Sequence, residues 1–270
     1  MSSLSLADTQ QTVSDLIEFI RGTFKQQNFT QAVVAFSGGI DSAVATSLLV
    51  KALGPTNVFT LLMPYADQSM VDAQNLLSEL AIPPSNQKTI EITSIVDAVC
   101  HQVGLDQQDT NLNSRIRLAN LMARSRMILV YDWAKELSAL VCGTENKSEH
   151  YLGYFTRFGD AASDLEPLHW LYKTQVRAVA AALEMPAIFL QKPPSAGLWA
   201  GQTDEQELGF SYELADQVLF QLIDLHQTES EILADFQTHQ SALVPQVKAV
   251  MARVQAQKFK LLVPYLPEKP

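Results

Sequence analysis

The chain has 270 residues, 47 % of them hydrophobic and 18 % charged, with a formal net charge of −10 and a pI near 4.9. The length suits one large domain or two small ones, and the acidic balance argues against non-specific binding to nucleic acid or anionic membranes. Cys100 and Cys142 belong to no Cys-x-x-Cys or Cys/His metal pattern, the N-terminus MSSLSLADTQQ lacks the basic start and apolar stretch of a signal peptide, and no apolar run reaches the roughly 18 residues of a membrane span. A cytoplasmic, enzyme-sized protein is expected.

In chain order, Val13, Leu16, Ile17, Ile20 and Phe24 recur at helical spacing over 9–26. Ala32 to Phe36 reads as a short buried strand, and a helix follows from Gly39. Val58 to Met63 is again strand-like and closed by Pro64; 67–80 reads as a helix, Thr89 to Ile92 as a third strand and 94–103 as a helix. No Gly or Pro interrupts 113–136, which predicts a long helix, and its apolar residues are not confined to one stripe. Such a helix is buried on several faces, which suits a subunit interface. Ala139 to Cys142 predicts a fourth strand, and helices are expected at 172–184, 203–224 and 243–257. Strands alternating with helices imply an α/β fold, a doubly wound parallel sheet covered on both faces. Two stretches, 143–170 and 191–207, have weak periodicity and read as functional loops.

The strand-to-helix turn at 35–42 reads A-F-S-G-G-I-D-S. In a parallel sheet ligands bind beyond the carboxyl ends of strands, where this turn lies. Gly38 and Gly39 allow close backbone approach, the free N–H groups of the following helix attract an anion, and Ser37 and Ser42 add hydroxyls. Asp41 suits such a place if it holds a cation. A Walker A loop needs a lysine that is absent, and a GxGxxG fingerprint needs other spacing. The plain alternative is a Gly-Gly turn capped by Asp or Ser.

Strand–SGGIDS–helix resembles the phosphate loop of the N-type ATP pyrophosphatases, which transfer AMP to a substrate oxygen. The strings NLMARSRM (120–127), GTENKSE (143–149), GYFTRFGDAASDLEPL (153–168), LYKTQVR (171–177) and PSAGLWAGQTDEQELG (194–209) follow in order. Together they resemble ammonia-dependent NAD synthetases from about residue 10 to about 262. The resemblance implies that ATP adenylates the nicotinate carboxylate of deamido-NAD, pyrophosphate leaves, and ammonia displaces AMP. It implies an ATP site of Ala35, Phe36, Ser37, Gly38, Gly39, Ile40, Asp41, Ser42, Thr144, Lys173 and Ser195. It places Mg²⁺ on Asp41 and Glu149, and deamido-NAD on Arg124, Arg157, Asp164 and Lys258. Asp160, in the FGD turn, would stand near the ammonia site and accept a proton; Asp160, Asp41 and Lys173 form the implied catalytic set.

The resemblance also implies a homodimer with deamido-NAD near the interface, and a single synthetase domain over 1–270 with no glutaminase domain, so that free ammonia is the donor. Arg157 stands where the family usually has Lys, and its late His-Lys pair is read onto Gln257 and Lys258. His150 and His169 lack metal-like spacing; Trp170 and Trp199 read as packing residues. Two rivals are another adenylating ligase with the same loop and a non-catalytic ATP-binding regulatory protein. An enzyme acting on tRNA would show a basic patch. A regulatory relic would have lost Asp41, Glu149 or Lys173.

Overall fold

The computed structural model describes residues 4–194 and 203–267. Its centre is a four-stranded, all-parallel sheet: β1 (Ala32–Ala35), β2 (Val58–Leu62), β3 (Gln87–Thr89) and β4 (Leu140–Cys142), in the order β3-β2-β1-β4. Ala32 pairs with Val58 on one side and Leu140 on the other. Successive side chains of β1 point to opposite faces, and both faces are covered. Ala32 and Val34 join α1 (Thr9–Gln27), α2 (Ile40–Leu53) and α7 (Lys173–Ala182). Val33 joins α4 (Thr93–Gln102) and α5 (Leu112–Leu137), where Phe59 meets Trp133 edge-on. Each fully buried Val or Leu side chain of these cores contributes about 1.5–3 kcal/mol of burial energy. The expected doubly wound α/β sheet is present.

A helical lobe carries its own core. It gathers α6 (Lys147–Leu152), α9 (Asp204–Leu208), α10 (Tyr212–Leu219), α11 (Glu229–His239) and α12 (Val244–Gln257) around the fully buried Tyr212. The remaining helices are α3 (Val71–Glu79) and α8 (Ala187–Gln191).

Several boundaries differ from the sequence expectation. The third strand forms at Gln87–Thr89, upstream of 89–92. Ile90 N–H still reaches Leu62 O and Ile92 N–H reaches Pro64 O, but Pro64 has no N–H to return, so the ladder stops. The helix expected over 203–224 breaks at Gly209, whose φ of +80° ends α9; α10 then runs into a π-helical turn at Phe220–Asp224. Helix α6 lies within the stretch read as a loop, and α8 and α11 are additional.

The chain leaves β1 towards β2 and β3 and returns to the opposite side at β4. This reversal opens a crevice beyond the carboxyl ends of β1 and β4. On α5, Leu112, Ile116 and Ile128 are exposed. No helix among the described residues is long and apolar enough to cross a membrane.

Candidate functional site

The turn from β1 to α2 forms one wall of the crevice. Gly38 has φ +78°, which a side chain rarely tolerates. Gly39 is the N-cap of α2 and supplies no side-chain cap, so the first-turn N–H groups are left to whatever enters the turn. Ser42 Oγ donates to Gly39 O at 3.0 Å and lies 3.1 Å from Ser37 Oγ, which closes the turn. Phe36 and Ile40 are buried, while Ala35 packs against the opposite core; these three side chains hold the loop in place.

The opposite wall is the exit of β4 and α6. Thr144 is half-buried at that exit. Asn146 is the N-cap of α6 and forms a capping box with Glu149. Lys173 begins α7, where its position is fixed by acceptors from other helices. Its N–H donates to Ser148 Oγ at 2.8 Å, and that hydroxyl donates to Asp216 Oδ1 at 2.5 Å. Asp216 Oδ2 accepts Thr174 N–H and hydroxyl at 2.9 and 2.8 Å. The fully buried Asp216 thereby does the work of an N-cap for α7.

The walls meet at one cation. Lys173 Nζ lies 2.6 Å from Asp41 Oδ2 and 2.9 Å from Glu149 Oε1, and it sits over the Tyr212 ring at 5.2 Å. Burial works against its charge, but Asp41 and Glu149 overcome that and hold the ammonium above its usual pKa. Burial pushes Glu149 up to about 8, against Lys173 and with the help of Asp41. Asp204, buried beneath, accepts hydrogen bonds from Tyr154 and Tyr212 at 3.2 and 3.3 Å.

Asp41 and Glu149 thus present two hard oxygens to one point that already accommodates a cation. Carboxylates from separate loops suit Mg²⁺, which keeps waters and phosphate oxygens for its other positions. Among the described residues no group of three or more His, Cys, Asp or Glu side chains is placed to hold a metal by itself.

A second cluster adjoins the first across the 143–146 turn. Asp160 accepts Thr156 N–H at 2.9 Å, and Thr156 donates to Asn120 on α5 at 2.8 Å. Asp160 is open to solvent on one side; protein packed behind it still pushes its carboxyl upward, against the Thr156 hydrogen bonds. Burial pushes Glu145 up to about 8, reinforced by Asp160 and opposed by Lys260. Glu166 reaches about 8 as well through burial, with Ser163 donating to it at 2.7 Å and Glu145 N–H at 3.1 Å. A Cβ on Gly143 would fall 1.9 Å from Glu166 Oε1, so glycine there lets the Glu166 carboxylate lie against the backbone. His150 Nδ1 lies 2.8 Å from Glu145 Oε1, and burial pushes its imidazole down.

Arg124 is exposed on α5 and donates to Arg157 O at 3.3 Å, which joins those two residues of the expected dinucleotide site. Arg126, two residues on, turns the other way and donates to Met63 O at 3.0 Å. Asp164 is exposed and accepts Val141 N–H at 2.7 Å, so its carboxylate braces β4. Lys258 is exposed. Lys260 turns inward instead, donating to Gly153 O and Phe155 O at 2.6 and 2.9 Å, and faces Asp160 and Glu145. Ser195 and Trp199 lie outside the described residues.

Sequence reasoning singled out neither Asn146, Ser148, Asp204, Asp216 nor Lys260 as a site residue. Asn146, Ser148 and Asp204 lie inside the matched strings; Asp216 and Lys260 lie outside them, and no local pattern marks them.

The NAD synthase family profile matches residues 12–264. An NH₃-dependent NAD⁺ synthetase from Fusobacterium nucleatum is 43 % identical over 87 % of this chain and 88 % of its own length. The structure of NMN synthetase from Francisella tularensis covers 97 % of this chain and 99 % of its own, at TM-score 0.79 and 30 % identity. That of NH₃-dependent NAD synthetase from Campylobacter jejuni covers 97 % and 100 %, at TM-score 0.74 and 33 % identity. With a match along nearly its whole length, the chain belongs to the NAD synthase family.

Proposed function

We propose that the crevice beyond β1 and β4 adenylates deamido-NAD and that the adjoining cluster around Asp160 completes its amidation. The chain is an ATP-using, ammonia-dependent NAD⁺ synthetase, a ligase. The observation that carries the site assignment is the meeting of Asp41, Glu149 and Lys173 in front of the uncapped first turn of α2. A non-catalytic relic of the fold has no need to keep these three together.

A carboxylate is a poor acyl electrophile, so the nicotinate oxygen first attacks the α-phosphorus of ATP. The α–β phosphate bond breaks, and the electron pair leaves with pyrophosphate. The N–H groups of Ile40 to Ser42, the hydroxyls of Ser37 and Ser42, and Lys173 receive that anion. Gly38 and Gly39 let the backbone approach it; Thr144 and Ser195 complete the nucleotide contacts. Asp41 and Glu149 would hold a Mg²⁺, whose charge offsets that of the departing pyrophosphate.

Ammonia then attacks the acyl carbon, the bond to AMP breaks, and nitrogen sheds a proton. Asp160 accepts it, with Glu145 beside it as a second carboxylate of raised pKa. Arg124 and Arg157 bind the dinucleotide. Lys260 takes the part expected of Lys258, because its ammonium turns inward onto Gly153 O and Phe155 O, where it feels the charge of Asp160, and Asp164 holds the β4 edge of that site. The exposed Leu112 and Ile116, one turn apart on α5, form part of the face of a homodimer that brings the dinucleotide site to the interface. Sedimentation is expected to give a dimer at micromolar protein.

The test is to incubate the chain with ATP, Mg²⁺, ammonium and deamido-NAD, and in parallel with the mononucleotide counterpart of deamido-NAD. NAD⁺, AMP and pyrophosphate are expected in equal amounts from the first, with a much lower kcat/KM for the second. Preference for the mononucleotide would make the chain an NMN-forming enzyme. Asp41→Asn removes AMP formation if the metal assignment holds.

A further inference from the structure

The two carboxylates that meet at Lys173 divide their oxygens in the same way. Asp41 turns Oδ2 to the ammonium at 2.6 Å, and its other oxygen, Oδ1, accepts Asn146 Nδ2–H at 2.9 Å. Glu149 turns Oε1 to the ammonium at 2.9 Å, and its other oxygen, Oε2, accepts Asn146 N–H at 3.4 Å. One residue therefore takes the outer oxygen of each carboxylate and leaves the inner pair converging on a single cation. Asn146 is itself held: its Oδ1 accepts Glu149 N–H at 3.0 Å, and the residue is fully buried. Its amide oxygen and its amide nitrogen each have a partner, which fixes the way the amide faces.

From this geometry we infer that Asn146 is the positioning residue for the metal-binding pair, setting the orientation of both Asp41 and Glu149 and with it the affinity of the site for a divalent cation. The inference rests on the proposed metal role of those two carboxylates. The amide links the β1–α2 turn to the N-terminus of α6, across 105 residues of sequence. A group that orients a metal ligand without touching the metal typically changes affinity by roughly 10–100-fold when it is removed. A helix cap alone does not: Ser and Thr cap nearly as well as Asn, and neither carries an amide donor that spans to Asp41.

The experiment uses Asn146→Ser and Asn146→Thr in the full chain. Mn²⁺ binding is followed by electron paramagnetic resonance in the presence of α,β-methylene-ATP, with melting temperatures measured alongside. Both variants are expected to melt within a few degrees of the wild type and to bind Mn²⁺ roughly 10–100-fold more weakly. In turnover, the KM for Mg²⁺ should rise by the same factor at saturating ATP, and saturating Mg²⁺ should restore most of kcat. If either variant folds and binds Mn²⁺ as the wild type does, while Asp41→Asn and Glu149→Gln abolish binding, Asn146 is only a cap and the inference is overturned. If Asp41→Asn and Glu149→Gln themselves leave Mn²⁺ binding unchanged, the metal assignment fails first.

Discussion

Lys173 Nζ and Asp41 Oδ2 stand 2.6 Å apart across the crevice, with the lysine side chain only 3 % exposed. The ammonium also bonds Glu149, so one cation serves two carboxyl groups, of which Glu149 is the one that burial pushes up to about 8. A buried ammonium held between two carboxylates occupies the place where a metal would be expected. If Asp41 and Glu149 hold the proposed Mg²⁺, nucleotide binding would be an exchange, in which Lys173 leaves these carboxylates for the phosphates.

The exchange makes a prediction for Lys173→Met. Removing one partner of a buried ion pair costs about 3–5 kcal/mol, because the charges left behind are uncompensated. Melting in chelator should therefore fall by several degrees. Millimolar Mg²⁺ should recover part of that loss in the variant and have a smaller effect on the wild type, whose lysine already fills the position. Equal Mg²⁺ responses in the two proteins would contradict the exchange. AMP formation should drop on the order of 10²-fold or more, as when a preorganised group facing developing charge is lost.

Asp216 supports Lys173 from behind. Its carboxylate accepts Ser148 Oγ–H, Thr174 N–H and Thr174 Oγ–H inside a fully enclosed site. Asp216→Ala leaves those donors unpaired, at about 1–3 kcal/mol for each buried group that finds no water. A loss of about 3 kcal/mol in denaturant unfolding is expected, together with a lower kcat at saturating ATP. Asp216→Asn keeps two acceptor lone pairs and should lose less of both. A variant with full stability and full turnover would remove Asp216 from the account of how α7 is held.

Much of the crevice was legible from local pattern. The phosphate turn is readable because strand, glycines and helix start are contiguous, and Asp41, Glu149 and Lys173 lie in matched strings. The contact that organises them is not local: Asn146 and Asp41 are 105 residues apart, and only the fold brings an amide to a carboxylate. The end of β3 was misplaced because Pro64, which stops the ladder, is on the neighbouring strand. Helix α11 did carry a local sign, Thr228-x-x-Glu231, whose side chains form a capping box. Lys258 and Lys260 are alike in sequence; which one turns inward depends on the last turns of the chain packing against Gly153 and Phe155.

The sheet itself holds a defect that can be repaired. Thr60 is fully buried in β2, and its hydroxyl has no hydrogen-bond partner among the described residues. An unpaired buried hydroxyl costs about 1–3 kcal/mol, and valine has nearly the same shape. Thr60→Val is expected to stabilise the chain by about 1 kcal/mol, or roughly 2–4 °C in melting temperature for a domain of this size. A neutral or lower melting temperature would mean that the hydroxyl is satisfied in solution.

Glu166 gives the fold a pH dependence whose sign is opposite to that of a salt-bridged acid. Its pKa rises from 4.5 to about 8, chiefly through burial, with Glu145 adding to the effect and Ser163 opposing it. Between those values the folded chain binds a proton that the unfolded chain has released. The slope of unfolding free energy with pH is set by the protons bound when unfolded minus those bound when folded, and here it is negative. The contribution is fully present below about pH 4.5 and lost as pH rises to about 8. Glu166→Gln keeps the side chain's shape and removes the titration. At pH 8 the variant should be more stable than the wild type by at least about 1 kcal/mol, the equivalent of less than one pKa unit. At pH 5 the two should nearly coincide. Unfolding curves in urea at the two pH values measure this directly, and a difference that is the same at both would show that Glu166 does not titrate in this range.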